Sequence, residues 1–301
     1  MPNRENNARQ KILFVINPIS GDTDKNNLLN EVKNYSVEMS FDYRVYYTEG
    51  EKDADRISDL ISEYTPDKIV AVGGDGTCNL VGSMLLNREI VMGIIPLGSA
   101  NGLAKELEIP PRLEDALNVV VNGNQKKIDA LSINGNYLSF HLCDIGLNAK
   151  VVERFEKGNL RGFLGYARHF LSELTTTKPL KVNVEMDQKI IRKKAYMVII
   201  ANASQYGTGA IINPEGKIDD GLFELIFIRP YSFFGLLKMF ILFFTKPLYS
   251  LNYVDVFKCR KAVIHNLDKN VIQVDGEIIG RAGKISVEIM PQCLRIMIPR
   301  N

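Results

Sequence analysis

The chain has 301 residues, of which 46% are hydrophobic and 24% are charged, and its formal net charge is +2. This length allows two domains of ordinary size, and the composition is typical of a soluble globular protein. The first eleven residues are polar and charged, and the apolar run at 12–16 is too short for a signal peptide or a membrane span, so we expect a cytoplasmic protein.

Short apolar runs alternate with helical patterns over the first 130 residues, which is typical of a parallel α/β sheet. Turns that carry Gly or Pro follow three of the predicted strands, and the ligands of an open parallel sheet bind at this edge. The strands are predicted at 11–17, 43–48, 69–72 and 91–95, and helices at 54–64, around 80–85 and at 103–107.

From about residue 126 the pattern changes to longer strands with alternating polarity and hairpin signals. Strands are predicted at 128–133, 137–143, 182–186, 195–201, 222–228, 254–264, 271–274 and 285–290, and helices near 149–156, 164–174 and 232–244. The sequence therefore predicts an α/β protein with an N-terminal doubly wound parallel-sheet domain and a second, β-rich, β-sandwich-like domain.

The segment 70–77 is predicted to be a strand that enters a glycine turn with one carboxylate, Asp75. Glycines allow a positive φ and close approach of a ligand, and a helix after the turn would aim free N–H groups at an anion. A carboxylate repels bare phosphate, so we expect a metal, a lysine or a substrate hydroxyl opposite Asp75. Gly-Gly-Asp-Gly is also compatible with a plain surface turn, and the other turns must decide.

Six motifs, in order, resemble the diacylglycerol kinase catalytic domain shared by bacterial lipid kinases and sphingosine kinases. GGDGT alone also occurs in NAD kinases and phosphofructokinases, whereas the ordered set is specific and covers nearly the whole chain. The motifs are NPISG at 17–21, GGDGT at 73–77, PLGSAN at 96–101, DIGLNA at 144–149, DDGLFEL at 219–225 and VDGE at 274–277.

The resemblance implies an ATP-binding domain over 10–130 and a β-rich lipid-binding domain over 131–287, and we expect the C-terminal tail, 288–301, to pack back onto the first. It implies ATP-dependent phosphorylation of a lipid hydroxyl in a cleft between the two domains. Positioning and charge stabilisation dominate phosphoryl transfer, which calls for backbone N–H groups, a divalent metal and one carboxylate near the acceptor.

The resemblance also assigns roles to individual residues. Glu277 matches the family's general base, and Asp75 either organises the Mg²⁺ and phosphate network or shares that role. Asp220 matches an aspartate that holds Mg²⁺, with the backbone oxygens of Lys217 and Leu222 as companion ligands, although Asp-Gly at 220–221 and 275–276 is also an ordinary turn dipeptide. The residues matched to ATP binding are Asn17, Pro18, Ile19, Ser20, Gly21, Thr48, Gly73, Gly74, Asp75, Gly76, Thr77, Cys78, Asn79 and Ser99.

Three positions depart from the family pattern. Many bacterial members read GTxND where this chain has GSANG at 98–102, so Ser99 replaces a threonine and Gly102 replaces an aspartate. Lys150 stands where sphingosine kinases carry an acid suited to an amino alcohol, and a cation there disfavours a cationic amine. The resemblance implies a diacylglycerol- or ceramide/sphingoid-like acceptor, and Lys150 favours a neutral one such as diacylglycerol, a monoacylglycerol or a ceramide-like lipid.

Two further features bear on membrane contact. The apolar window at 233–244 is too short to span a bilayer and suits either core packing or contact with a membrane interface. A basic cluster of Lys189, Arg192, Lys193 and Lys194 is either a solvated turn or a contact for anionic headgroups. We expect a protein that is peripheral to the inner face of a membrane.

Charge is distributed unevenly along the chain, and the four cysteines are far apart in the sequence. Residues 1–130 have 14 Lys and Arg against 20 Asp and Glu, a balance of −6, whereas the remainder has 23 against 15, a balance of +8. A basic second half suits an anionic surface, although scattered solvated lysines give the same sum. The four cysteines form no CxxC pair and are expected to be buried free thiols, with neither a zinc site nor a disulfide framework suggested.

Two other functions stay open from the sequence: a soluble NAD kinase-like enzyme, which GGDGT allows, and a catalytically silent nucleotide-binding protein, which Gly102 suggests. Nucleic-acid binding is not expected, because no basic stripe carries stacking aromatics. Homodimers are common in the resembling family, but no interface is evident in this sequence.

Overall fold

The computed structural model describes residues 9–21, 25–157, 172–173, 176–186, 189–204, 216–229 and 254–300. The chain divides into two compact units. Unit 1 comprises Met1–Lys127 with Leu294–Asn301, and unit 2 comprises Ile128–Cys293. Two strands, β5 (Asn124–Ile133) and β16 (Lys284–Ile298), contribute residues to both units.

Unit 1 is built on a parallel sheet with strand order β2-β1-β3-β4, and the end of β16 pairs parallel with β4 through Ile296 and Met92. Strands β3 and β4 are buried at every position, as expected for a parallel sheet that is covered on both faces. The elements are β1 (Lys11–Ile16), β2 (Asp42–Tyr47), β3 (Lys68–Gly73), β4 (Val91–Pro96), α1 (Lys25–Glu38), α2 (Asp53–Tyr64), α3 (Asp75–Leu85), α4 (Gly102–Glu106) and α5 (Leu113–Asn122).

Unit 2 is β-rich. One group of strands follows the order β16-β13-β8-β9, with β5 pairing with β16 and β6, and a six-stranded sheet follows the order β12-β11-β10-β7-β14-β15. The elements within the unit are β6 (Tyr137–Ser139), β7 (Leu142–Gly146), α6 (Leu147–Lys157), β8 (Leu180–Met186), β9 (Lys189–Ala195), β10 (Met197–Ala201), β11 (Phe223–Ile228), β12 (Val254–Cys259), β13 (Lys261–Asn266), β14 (Val271–Val274) and β15 (Glu277–Arg281).

The core of unit 2 is formed by apolar side chains from strands of both groups. It includes Leu180 and Val184 of β8, Ile264 of β13, and Leu225 and Phe227 of β11. This layered arrangement confirms the predicted fold class, a parallel α/β unit with a separate β-rich unit. All four cysteines are buried free thiols.

Two strands that the sequence predicts as continuous are interrupted. The predicted strand at 137–143 is β6 followed by β7, because the intervening N–H groups donate to the carboxylate of Asp275 instead of to a strand partner. The predicted strand at 254–264 bends at Arg260 and becomes β12 and β13, which pair in different sheets. The bend lets Cys259 and Ile264 enter one core from two sheets.

Four elements received no prediction of their own: α1, α5, β9 and β15. The predicted helix at 232–244 lies outside the described residues, as does nearly all of the one at 164–174. None of the described helices is long and apolar enough to cross a membrane.

The buried ammonium group of Lys68 joins the start of β3 to the end of α5. Its Nζ donates to the carbonyl oxygens of Val120 at 2.6 Å and Val121 at 3.2 Å, which are among the last carbonyls of the helix. A cation at this position is favourable to the helix dipole and satisfies carbonyls that have no partner within the helix. Burial nevertheless disfavours the charged form and lowers the pKa of Lys68 to about 8.

This depressed pKa predicts a specific pH dependence of stability. Between about pH 8 and 10.5 the unfolded chain keeps Lys68 protonated while the folded chain releases the proton, so the unfolded state binds more protons and stability rises with pH. We expect the difference in unfolding free energy between wild type and Lys68→Met to be constant below pH 8 and to grow in favour of wild type above it. Urea titrations across this range measure the difference, with the exposed Lys33→Met as control. Parallel curves for wild type and Lys68→Met would contradict the assignment.

Candidate functional site

Three loops of unit 1 meet at the carboxyl ends of its strands. The N–H of Asn17, after β1, donates to the carbonyl of Val72 at 3.0 Å, and the N–H of Leu97, after β4, donates to Gly73 at 2.9 Å. These bonds extend the strand pairing into the loops and hold the 17–21, 73–77 and 96–101 segments side by side. The segments of the first three motifs are therefore brought together in the structure.

Glycines let these loops approach each other backbone to backbone. A Cβ atom on Gly98 would lie 2.4 Å from the Cα of Gly74, and one on Gly21 would lie 2.4 Å from the carbonyl oxygen of Leu97. Gly21 also has a positive φ of 62°, which L side chains rarely adopt. Any side chain at these positions would force the loops apart, so the narrow contact depends on glycine.

Asp75 connects two of the loops. It begins α3, and its Oδ1 accepts a hydrogen bond from the N–H of Leu103 at 3.2 Å, in the first turn of α4. The Asn101 side chain cannot cap α4, because its amide is paired with Gly98, accepting from its N–H at 2.8 Å and donating to its carbonyl at 2.7 Å. Asp75 thus takes the place of a capping side chain, because its carboxylate accepts one of the N–H groups at the start of α4 that have no partner within the helix.

The other residues predicted to bind ATP differ in their exposure and in whether their backbone N–H groups are already hydrogen-bonded. Ile19 is 89% exposed, and its N–H donates to Asn17 Oδ1 at 3.1 Å within the first loop. Ser99 is also exposed. The N–H of Cys78, by contrast, donates to Gly74 within the helix at 3.0 Å, and the Cys78 side chain is buried.

Thr48 follows β2 at the same edge, where its N–H donates to Ile16. The turn after it is held by the buried Asp53, which accepts hydrogen bonds from the N–H groups of Glu49 and Gly50 and from the hydroxyl of Tyr46. Burial alone would raise the pKa of Asp53, but these hydrogen bonds together lower it. Burial and the bond to Asp53 raise the pKa of Tyr46 to about 12.

In unit 2, the turn that leads to Glu277 is held by Asp275. Its carboxylate accepts four hydrogen bonds, from the Ser139 hydroxyl at 2.6 Å and from the N–H groups of residues 140–142 at 2.9 to 3.2 Å. Both Asp275 and Gly276 have positive φ, 46° and 93°. The turn places Glu277, which is exposed, at the first position of β15.

A buried polar relay supports the same turn from below. Gln273 accepts the N–H of Gly276 at 2.7 Å and donates to the carboxylate of Asp144 at 2.5 Å, and Asn148 also donates to Asp144 at 2.5 Å. Gln273 and Asp144 are both buried. The sequence analysis includes Asp144 in the DIGLNA motif but gives it no role, and it does not identify Gln273 or Asp129. At each of the three positions a lone polar residue inside an apolar run was a signal.

The turn that carries Asp220 is held by Asp129. The buried Asp129 carboxylate accepts the N–H of Gly221 at 2.7 Å and the N–H of Gln292 at 2.6 Å. Burial raises the pKa of Asp129, and the nearby negative charges of Asp220 and Asp219 raise it further. The two hydrogen bonds lower the pKa but do not offset these effects. Negative charge is therefore concentrated around the Asp220 turn.

Asn202 links the two turns of unit 2. This amide is only 1% exposed, and its Nδ2 donates to the carbonyl of Asp129 at 3.0 Å and to that of Phe140 at 3.4 Å. Phe140 in turn donates its N–H to Asp275. Residues predicted to hold a metal and the predicted base therefore lie on one hydrogen-bonded framework.

The Asp220 turn fits the Mg²⁺ that the family resemblance implies. One carboxylate oxygen of Asp220 accepts the N–H of Leu222 at 3.0 Å, and the Asp220 side chain is exposed. Burial raises the pKa of Asp129, and the negative charges of Asp220 and Asp219 raise it further. A carboxylate with flanking carbonyl oxygens is a hard donor set, and Mg²⁺ completes such sets with water. Within the described part of the chain no cluster of three or more His, Cys, Asp or Glu forms a ready-made metal cage.

Removal of the Asp275 carboxylate should cost more stability than removal of an ordinary exposed one. Asp275→Ala leaves four donors without an acceptor, and we expect a loss of about 2 to 4 kcal/mol in the free energy of unfolding, measured by urea denaturation. Asp268 is the matched control, because its exposed carboxylate accepts one backbone N–H, that of Lys181. Equal losses in Asp275→Ala and Asp268→Ala would contradict the role given to Asp275.

The family matches cover both units. The diacylglycerol kinase catalytic domain matches residues 11–133, and the YegS C-terminal NAD kinase beta sandwich-like domain matches residues 142–298. The chain is 29% identical over 280 residues to the "Probable lipid kinase YegS-like" of Klebsiella pneumoniae (strain 342), which covers 90% of this chain and 91% of the relative. It is 28% identical to the "Probable lipid kinase YegS" of Salmonella arizonae, with 95% of each chain covered.

Among solved structures, a diacylglycerol kinase from Bacillus anthracis str. Sterne superposes with a TM-score of 0.78 at 20% sequence identity. The superposition covers 96% of this chain and 97% of the other, and it shows the same fold. With both domain matches, the chain belongs to the diacylglycerol kinase catalytic domain family, in its form with a YegS-type C-terminal domain, and is a kinase of that family.

Proposed function

We propose that this kinase uses Mg²⁺-ATP to phosphorylate a hydroxyl group of a lipid. The observation that carries the proposal is the contact of the three strand-end loops of unit 1 at Gly21, Gly74 and Gly98, next to the start of α3. Backbone N–H groups at such a helix start stabilise phosphate oxygens without a side chain. The resemblance to lipid kinases supports the choice of acceptor.

The proposed reaction assigns one task to each group of residues. The loops of unit 1 hold the phosphates of ATP, and Asp75 keeps the second and third loops in register through Leu103. The carboxylate of Glu277 accepts the proton of the lipid hydroxyl. At the same time the hydroxyl oxygen forms a bond to the γ-phosphorus of ATP, and the bond between the γ-phosphorus and the bridging oxygen breaks, which releases ADP. Asp220 with the carbonyl oxygens of Lys217 and Leu222 would hold Mg²⁺, which supplies positive charge near the phosphates when bound.

For the acceptor we propose a neutral lipid such as diacylglycerol, since Lys150 stands in the first turns of α6 where an amine-binding acid would be needed. A lipid substrate requires access to a bilayer, and we propose that the protein is cytoplasmic and peripheral to the inner face of the membrane. Dinucleotide phosphorylation is the rival function, favoured by the NAD kinase-like description of the second domain. Phosphorylation of NAD⁺ and of no lipid in mixed micelles would establish the rival instead.

Glu277→Gln should abolish phosphorylation of the lipid while ATP binding is retained. Loss of a general base lowers the rate by roughly 10² to 10⁴-fold, and an amide cannot accept the proton. Radiolabelled ATP with diacylglycerol in mixed micelles measures the rate, and calorimetry measures ATP binding. Glu288→Gln is the matched control, because Glu288 is an exposed strand glutamate that pairs with Lys261. A variant that keeps more than about a tenth of the activity would remove Glu277 from this role.

Gly98→Ala should weaken ATP binding. The new Cβ atom would clash with Gly74 Cα at 2.4 Å and with Asn101 Oδ1 at 2.7 Å, so the second and third loops must separate. Forced backbone shifts of this kind cost about 1 to 3 kcal/mol, and we expect the Kd for ATP to rise by roughly ten-fold or more. Gly283→Ala is the control, since its Cβ meets only the Lys269 side chain at 3.8 Å. Unchanged affinity in Gly98→Ala would contradict the proposed phosphate site.

A further inference from the structure

One face of the β8–β9 hairpin in unit 2 is cationic and exposed. On this face Lys181 lies opposite Lys194, Asn183 opposite Arg192, and Glu185 opposite Ile190. The other face of the same strands enters the core, as the alternating burial of β8 shows. The sequence cluster of Lys189, Arg192, Lys193 and Lys194 is thereby divided between two faces of one strand, and only part of it is available to a partner.

Within the described ranges, three cations on this face lack the ion-pair partner that the neighbouring Lys193 has. Lys193, on the inner side, pairs with Asp255 at 2.8 Å. In the described residues Lys181, Arg192 and Lys194 form no ion pair with any carboxylate. Direct opposition of Lys181 and Lys194 is destabilising, because like charges face each other across a strand pair.

Two carboxylates lie near this face. Glu185 pairs with His265 at 2.8 Å, and Asp268 accepts the backbone N–H of Lys181 at 2.8 Å. Lys284 lies opposite His265 on β16 and adds a further exposed cation. The four cations Lys181, Arg192, Lys194 and Lys284 outnumber these two carboxylates, so the face carries a local excess of positive charge.

Exposed apolar side chains lie among these cations. Ile190 is 69% exposed and stands two residues from Arg192 on the same face. Leu267 is 56% exposed, and its N–H donates to the carbonyl of Lys181 at 3.2 Å. Large apolar side chains surrounded by lysine and arginine are typical of protein surfaces that enter the headgroup region of a bilayer.

We propose that this basic sheet face, composed of Lys181, Arg192, Lys194, Lys284, Ile190 and Leu267, docks the protein onto an anionic lipid bilayer. The proposal rests on the proposed lipid acceptor, because an enzyme whose substrate stays in a bilayer must bind that surface. Phosphates of anionic lipids supply counter-charge to Lys181 and Lys194, which form no ion pair in the part of the chain that the structure describes, and Ile190 and Leu267 enter the interface between the headgroups.

A competing explanation for these cations is that they protect the edge strand β9 from pairing with another chain. In the described structure β9 pairs only with β8, and lysines on an edge strand prevent pairing with a second chain without any lipid binding. That explanation predicts self-association when the charges are removed, whereas docking predicts loss of vesicle binding. The two outcomes can be measured on the same variant.

The test variant of the full-length protein combines Lys181→Gln, Arg192→Gln and Lys194→Gln. Sedimentation with phosphatidylcholine vesicles and with equal mixtures of phosphatidylcholine and phosphatidylglycerol measures membrane affinity. Each cation near an anionic surface contributes about a five-fold gain in partitioning, so the triple variant should bind the anionic vesicles roughly 100-fold more weakly than wild type. High salt should weaken wild-type binding, because the Debye length falls from about 10 Å at 0.1 M to about 3 Å at 1 M.

A matched variant with Lys33→Gln, Lys52→Gln and Arg88→Gln removes three exposed cations from unit 1 and should keep wild-type vesicle binding. Ile190→Ser should weaken binding without changing the net charge. Wild-type affinity in the hairpin triple variant, equal losses in the two triple variants, or self-association of the hairpin variant with unchanged vesicle binding would each overturn the proposal.

The same experiment separates this proposal from the proposed function. We expect the hairpin triple variant to lose vesicle binding but to phosphorylate a short-chain, micelle-dispersed lipid at the wild-type rate. This result would show that the substitutions remove membrane docking and leave catalysis intact. If the wild type binds anionic vesicles through this face but phosphorylates no lipid, the docking surface stands and the proposed acceptor fails.

Discussion

Close approach of backbone to backbone is the constraint on which the rest of unit 1 depends. Parallel strands end at one edge, but the loops after β1, β3 and β4 can share that edge only if side chains are absent where they touch. Gly74 and Gly98 provide this contact, and Gly21 provides it against Leu97. Helix α3 begins next to this contact, and the backbone N–H groups at a helix start favour an anion over an apolar ligand.

Asp75 has a structural role in this arrangement. A carboxylate beside a phosphate site is unfavourable in isolation, but here it accepts the N–H of Leu103 and so joins the GGDGT loop to the start of α4. The hydrogen bond to Leu103 leaves further acceptor sites on the Asp75 carboxylate, because a carboxylate has two oxygens with several acceptor sites. The glycines and Asp75 therefore both hold these loops together, the glycines by close backbone contact and Asp75 by its hydrogen bond to Leu103.

In unit 2 two carboxylates hold the turns in place: Asp129, which is buried, and Asp275, which is half-buried. Asp129 and Asp275 each collect backbone N–H groups from distant parts of the chain, and Asn202 joins them. Each of the two carboxylates accepts two or more hydrogen bonds, and its loss would leave those donors unpaired, so the turns of Asp220 and Glu277 are held in place. A β-rich framework thereby presents two exposed carboxylates on rigid supports.

The amino-acid sequence by itself determined the fold class and the strand-end loops, because buried parallel strands and glycine turns leave local patterns of apolar runs and fixed spacing. It could not determine that 137–143 and 254–264 are each two strands, since Asp275 and the shared core act across more than a hundred residues. The division of the basic cluster between two faces of β9 likewise required the strand register, which places Lys193 beside Asp255 and Lys194 opposite Lys181. Tertiary structure alone decided these features, because hydrogen bonds and charges between distant residues leave no local pattern in the sequence.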